Sequence, residues 1–269
     1  MTEPEATPTQ ADAKPTRPDA KPTPPTLPDP TAAYGATPMT EPVAESVPFP
    51  AATVILLRDS AVGPQVLMLE RVARGSFAGM WVFPGGRVDP EDRLPEDRDE
   101  ELPPARRAAA REAFEETALT VAPDALVVHS HWMPPPIEEK RFSTWFFVGA
   151  APTGDITLHE HEATHHQWIE PSEALEAHRD GRLALAPPTW MTLRSLIGAA
   201  SVAELLARAE GAEPGIFHTK ALRAKPSMVL AWRGDVGYDL PLGTADVEAP
   251  GPRHRLHLDP DGWRFERDL

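Results

Sequence analysis

Phe83-Pro84-Gly85-Gly86-Arg87-Val88-Asp89, followed after an acidic stretch by Ala110-Arg111-Glu112-Ala113-Phe114-Glu115-Glu116-Thr117, is the part of the chain that decides its fold. In the second block Glu112, Glu115 and Glu116 are spaced by three and four residues, which puts them on one face of a helix. Three like charges on one face repel each other and destabilise a bare helix. A hard divalent cation among them removes the conflict, because magnesium takes carboxylate oxygens and brings substrate phosphates with it. A glycine turn running into an acidic helix therefore marks a candidate metal–phosphate site.

Outward from this block, composition narrows the function classes. The chain has 269 residues, enough for one good domain and a small addition, and a formal net charge of −15. With no local basic patch, that charge argues against a nucleic-acid partner. An acidic enzyme acting on a small phosphate ester needs metal to offset the repulsion. Cysteine is absent, which removes disulfides, zinc–thiolate sites and thiol nucleophiles and fits a cytoplasmic location. No apolar run approaches the ~20 residues of a membrane span. The acidic, proline-rich N-terminus lacks the apolar core of a secretory signal, and Arg267-Asp268-Leu269 is a poor peroxisomal address.

Three segments are expected along the chain. Residues 1–48 hold Pro, Thr, Ala, Asp and Glu with almost nothing to bury, and read as a disordered tail. Residues 49–200 read as the main domain. Its strands are expected at Ala51–Leu57, Gln65–Glu70, Trp81–Phe83, Leu126–Trp132, Phe142–Gly149 and His165–Ile169. Its helices are expected at Ala105–Thr117, Pro171–Asp180 and Pro188–Gly198, with residues 89–104 as a surface loop. Residues 201–269 read as an extension, opened by a Ser201-to-Glu204 capping box and ending in a hairpin over His254–Glu266. No internal repeat is expected.

These pieces resemble the Nudix hydrolases, whose signature is Gly-x5-Glu-x7-Arg-Glu-U-x-Glu-Glu-x-Gly-U, with U apolar. Gly86 opens it here and Arg111-Glu112-Ala113-Phe114-Glu115-Glu116-Thr117-Ala118-Leu119 closes it. The resemblance implies an α/β fold, a Nudix α/β/α sandwich with a mixed sheet, to which a small β-rich C-terminal extension is added. The match departs from the pattern in three ways. Gly86 to Leu119 spans 34 residues, 11 more than the signature. The early glutamate has no unique counterpart: Asp92 holds the spacing from Gly86, while Glu100 and Glu101 stand nearer the helix. Ala118 replaces the late glycine, a substitution that costs up to ~1 kcal/mol if the position needs positive φ.

An expanded signature is similar to the branch of peroxisomal coenzyme A diphosphatases and their bacterial relatives. Shared features are Leu69-Glu70-Arg71, Trp81-Val82-Phe83-Pro84-Gly85-Gly86, Arg141-Phe142-Ser143-Thr144-Trp145-Phe146-Phe147, and Trp168 with Pro171, Ala174 and Leu175. That branch usually carries aspartate where Ser143 stands.

The resemblance implies attack of water on one phosphorus of a diphosphate, helped by Mg2+ or Mn2+. It implies Glu112, Glu115 and Glu116 as metal ligands, joined by Glu162, which precedes Trp168 by six residues. It implies catalytic roles for Glu112, Glu115 and Arg111, with Arg111 reaching Glu115 one turn later to orient the carboxylates. Gly85 and Gly86 would admit the backbone close to the helix, and Arg71 and Arg141 would bind substrate. The expected partner is a small nucleoside diphosphate derivative, with coenzyme A or an acyl derivative foremost. A homodimer is allowed. The alternatives are a nucleotide-sensing Nudix-fold module that does not cut, and a zinc peptidase built on His161-Glu162-Ala163-Thr164-His165, which would need a helix to aim both imidazoles at one metal.

Overall fold

The computed structural model describes residues 47–73, 77–136, 141–159, 161–223, 228–240 and 247–268. Most of the expected tail, residues 1–46, lies outside them. The first strand, β1 (Phe49–Asp59), carries the apolar run Ala-Ala-Thr-Val-Ile-Leu-Leu, whose side chains are buried on both faces almost throughout. A strand buried on both faces belongs at the centre of a covered sheet. β1 pairs antiparallel with β2 (Pro64–Arg71), and β2 with β3 (Trp81–Val82). On its other side β1 pairs in parallel with β6 (Phe142–Ala150), which pairs antiparallel with β5 (Val127–Met133). The short β4 (Gly85–Arg87) also pairs with β1, and β7 (Ala163–Ile169) with β2.

Helix α1 (Leu102–Thr117) covers one face of this mixed sheet. Its Ala105, Ala108, Ala109 and Ala113 are buried against Ala52, Val54, Leu56, Leu67, Leu69 and Phe147. A face of alanines lets the helix axis lie close to the strands. The other face carries Ile55, Leu57, Val66, Met68, Phe146 and Val148 under α2 (Pro171–Arg179), α3 (Pro187–Leu196) and α4 (Val202–Glu210). The architecture is the expected α/β/α sandwich.

The C-terminal region contributes more to this body than its sequence suggests. β8 (Gly215–His218) joins the main sheet in parallel with β5, a pairing that local sequence does not reveal. β9 (Lys220–Arg223), β10 (Met228–Ala231), β11 (His254–Asp259) and β12 (Gly262–Arg267) form a separate antiparallel sheet, the β-rich extension. The β11–β12 hairpin closes at the pair Asp259–Gly262, with Gly262 at φ 132°. Trp132 of β5 stacks on Phe217 of β8 with ring centroids 4.0 Å apart, and fully buried Trp232 meets Trp132 edge-on. The second sheet is pinned by the wholly buried pair of Arg255 and Asp235, joined through two hydrogen bonds of 2.6 Å. Ser201 caps α4 by accepting from the Glu204 N–H, whereas the Glu204 carboxylate reaches the N–H of Ala200. Among the described residues no helix is long and apolar enough to cross a membrane.

Two local expectations need correction. Gly85 and Gly86 are not a free turn but paired strand, opposite Thr53 and Ala52 of β1. Residues 89–104 are not a plain surface loop. They fold into two short 3-10 turns, Pro90–Asp92 and Pro95–Asp97, each ending in a buried aspartate, and α1 starts at Leu102. Pro103 and Pro104 sit in its first turn, where the missing N–H groups are not needed for helical hydrogen bonds.

Candidate metal centre

Glu112 and Glu116 lie one turn apart on the flank of α1 that faces β4. The contact is close enough to exclude side chains from the strand. A Cβ built on Gly86 would stand 2.3 Å from Glu112 Oε1, and one on Gly85 would stand 2.5 Å from the Ala52 carbonyl oxygen. The Gly85 N–H donates to Glu116 Oε2 at 3.0 Å. The two glycines are thus required by the approach of a carboxylate and a neighbouring strand to bare backbone.

Glu162 comes from the turn just before β7, where the Val72 N–H donates to its carbonyl at 3.1 Å. Its carboxylate meets those of Glu112 and Glu116, with one oxygen from each lying within 4.8 Å of the others. Three carboxylates gathered this closely suit a hard divalent cation, which takes oxygen ligands. Burial pushes Glu116 up to about 8, against the Gly85 N–H and Arg71, which favour its ionised form; Glu112 and Glu162 push the same way as burial. Glu112 is raised too, chiefly by burial, with Arg111 opposing. Both shifts reflect negative charge held away from water without enough positive charge beside it.

Arg111 organises the other side of the cluster. Its Nε and Nη2 donate to the two oxygens of Asp92 at 3.2 and 2.9 Å. Nη1 donates to Glu112 at 3.0 Å and to Glu115 at 2.8 Å, and Nη2 also donates to the Arg87 carbonyl at 2.9 Å. The bond to Asp92 is the largest cause holding the guanidinium's pKa above its ordinary value. Glu115 is half-exposed and turned to Arg111, so the structure does not bring it into the carboxylate trio. Of the three contenders for the early acidic position, Asp92 is the one that touches Arg111. Glu101 instead accepts from the Trp145 indole at 3.3 Å, and the Glu100 N–H bonds the Asp97 carbonyl.

Sequence reading missed the device that holds Arg111. Asp89-Pro90-Glu91-Asp92-Arg93 and Leu94-Pro95-Glu96-Asp97-Arg98 form a tandem repeat, which was the available signal. In each copy the second-last residue, Asp92 or Asp97, accepts from the N–H three positions back, at 2.9 and 2.7 Å. Asp92 then takes Arg111 and Asp97 takes Arg107, one helical turn earlier. The Arg107 Nε adds a bond to the Asp92 carbonyl at 2.7 Å. The inserted residues therefore run along α1 as a splint.

Arg71, at the end of β2, places Nη1 3.5 Å from Glu116 Oε1. Arg141 is turned to the β5–β6 connection, where Nη2 donates to the Pro134 carbonyl at 3.1 Å. The His-Glu-x-x-His match is not helical. His161 lies in a turn, and His165 lies within β7 with Nδ1 2.7 Å from Glu70. Largely extended backbone spreads positions four apart by roughly 10 Å, too far to share a zinc ion.

The family profile of the NUDIX domain matches residues 47–187, just over half of the chain. The chain belongs to the Nudix family. Among solved structures, a Nudix hydrolase from Alicyclobacillus acidocaldarius shares the fold with a TM-score of 0.53 at 23% identity, over 61% of this chain and 97% of that one. A MutT Nudix hydrolase from Burkholderia pseudomallei gives a TM-score of 0.43 at 18% identity, over 56% of this chain and 99% of that one. No curated protein matches the chain. The β9–β12 sheet lies beyond the residues of the Nudix match.

Proposed function

We propose that this chain is a metal-dependent diphosphatase that hydrolyses the diphosphate linkage of a nucleoside diphosphate derivative. The observation that carries the proposal is the meeting of Glu112, Glu116 and Glu162, from a helix and a distant turn, beside the bare backbone of Gly85 and Gly86. These carboxylates would hold Mg2+ or Mn2+. A cation of this kind offsets charge on phosphate oxygens and lowers the pKa of water.

The chain's own groups do the rest. Glu112 is more exposed than Glu116, with side-chain exposures of 13% and 3%, and is the carboxylate placed to take the proton of the attacking water. Water adds to one phosphorus, and the bond from that phosphorus to the bridging oxygen breaks. Arg111, fixed by Asp92, holds Glu112 and Glu115 in place. Arg71 at the rim supplies positive charge for the substrate's phosphates.

Coenzyme A or an acyl derivative is the foremost substrate, on the resemblance of Leu69-Glu70-Arg71 and the 141–147 segment to the coenzyme A diphosphatases. The test is a panel of coenzyme A, ADP-ribose, dinucleotides and oxidised nucleotides, incubated with Mg2+ or Mn2+ and resolved by mass. Cleavage between the two phosphorus atoms of at least one, lost with chelator, is expected. No cleavage of any compound would leave the non-cutting sensor as the better reading.

A further inference from the structure

Arg71 combines features that its role as a substrate contact does not explain. Its backbone is fixed on both sides: the N–H donates to the Met80 carbonyl at 3.0 Å, and its carbonyl accepts from Gly79 at 3.2 Å. Its side chain is 28% exposed and stands at a register shift between β2 and β7. Nη1 is 3.5 Å from Glu116 Oε1, longer than a good charge-assisted hydrogen bond. Nε is buried and has no hydrogen-bond partner among the described residues. The guanidinium is therefore attracted to the carboxylate trio but not locked to it.

The same Glu116 has its other oxygen taken by the Gly85 N–H, so Oε1 is the oxygen left for a cation. Glu112 is shared with Arg111, and Glu162 has His159 Nδ1 3.7 Å away. A divalent ion among the three carboxylates would place two positive charges beside the Arg71 guanidinium. Like charges this close repel each other, so the guanidinium and the cation compete for the same carboxylate.

We infer that Arg71 is an exchangeable counter-cation: it neutralises Glu116 in the metal-free site, is expelled when a divalent cation binds, and in its displaced position receives the phosphates of the substrate. One side chain then couples the two binding events. The metal must displace Arg71, and the displaced guanidinium, whose Nε is already without a partner, needs an anion. This gives an order in which metal precedes diphosphate. The inference rests on the proposed metal site and adds a regulatory role for a residue outside the carboxylate trio.

The test is calorimetric titration at pH 8.5 of wild type, Arg71→Gln, Arg71→Lys and Glu116→Gln, first with Mn2+ alone and then with inorganic pyrophosphate at saturating Mn2+. Arg71→Gln should bind Mn2+ at least about threefold more tightly than wild type, because the competing charge is gone. It should bind pyrophosphate at least about tenfold more weakly, having lost a charge-assisted contact. Arg71→Lys keeps a positive charge and should stay close to wild type for Mn2+, which separates charge competition from loss of packing. Mn2+ affinity unchanged or weakened in folded Arg71→Gln overturns the inference, as does pyrophosphate affinity that does not fall. Glu116→Gln separates the metal site from the exchange. If it binds Mn2+ as wild type does, the metal site itself is misplaced. If it loses Mn2+ while Arg71→Gln gains nothing, the metal site stands and the exchange is wrong.

Discussion

Replacing Glu116 with Gln should make the metal-free protein more stable while abolishing its activity. Glu116 is 2% exposed and its pKa is pushed up to about 8 from an ordinary 4.5, principally by burial. A carboxyl whose pKa is raised in the folded state binds its proton more tightly there than in the unfolded chain. Its contribution is therefore most favourable below pH 4.5 and is lost as the pH climbs from 4.5 to about 8. At pH 7 the accumulated cost is about 3 kcal/mol, from 1.36 kcal/mol per pH unit. Gln mimics the protonated carboxyl and keeps an acceptor for the Gly85 N–H, and the attraction of Arg71 is already contained in that pKa shift. The gain of about 3 kcal/mol corresponds to roughly 6–12 °C in melting temperature for a domain of this size. The assay is thermal unfolding in chelator from pH 4.5 to 8.5, repeated at saturating Mn2+. Wild type should lose stability with rising pH more steeply than the variant. It should gain about 3 kcal/mol from Mn2+ at a hundred times its dissociation constant, where the variant gains little. Turnover should fall at least ~100-fold. A variant that melts below wild type in chelator at pH 7, or that turns over normally, would show that Glu116 neither carries this burial cost nor serves the metal site.

The glycines make a paired prediction. Gly86→Ala drives a methyl into a movable glutamate side chain, so stability should change by less than ~1 kcal/mol while Mn2+ affinity falls ~10-fold or more. Gly85→Ala meets the backbone of Ala52 and Thr53 and should cost ~1–3 kcal/mol, read from denaturant unfolding. Ala118 sits at φ 61°, ψ 10°, in the left-handed region, directly after α1. Ala118→Gly should therefore stabilise by about 0.5–1 kcal/mol with activity unchanged, checked by melting temperature and steady-state rate.

How legible the molecule was in its sequence depends on how local each determinant is. The spacing of Glu112, Glu115 and Glu116 announced an acidic helix face. The left-handed Ala118 was legible as a missing glycine. Which of the three glutamates face inward was not, because Arg111 captures Glu115 through a geometry set by Asp92. The Asp92 and Asp97 anchors were hidden by composition: proline and acid read as solvated loop unless the five-residue repeat is matched to arginines one helical turn apart. The strand at Gly85–Arg87 was hidden because glycine has little tendency to form strands and is used here for close approach. The addition of β8 to the main sheet was out of reach, since it depends on pairing with β5, some 85 residues earlier.

Glu162 provides the most direct test, because only the fold brings it to Glu112 and Glu116. Mn2+ is titrated into wild type and Glu162→Gln, and hydrolysis of a cleaved diphosphate is measured in the same samples. Saturable binding is expected in wild type, with affinity weakened at least about tenfold in the variant and a parallel loss of hydrolysis. Wild-type affinity and wild-type turnover in a folded Glu162→Gln protein would contradict the three-carboxylate metal site.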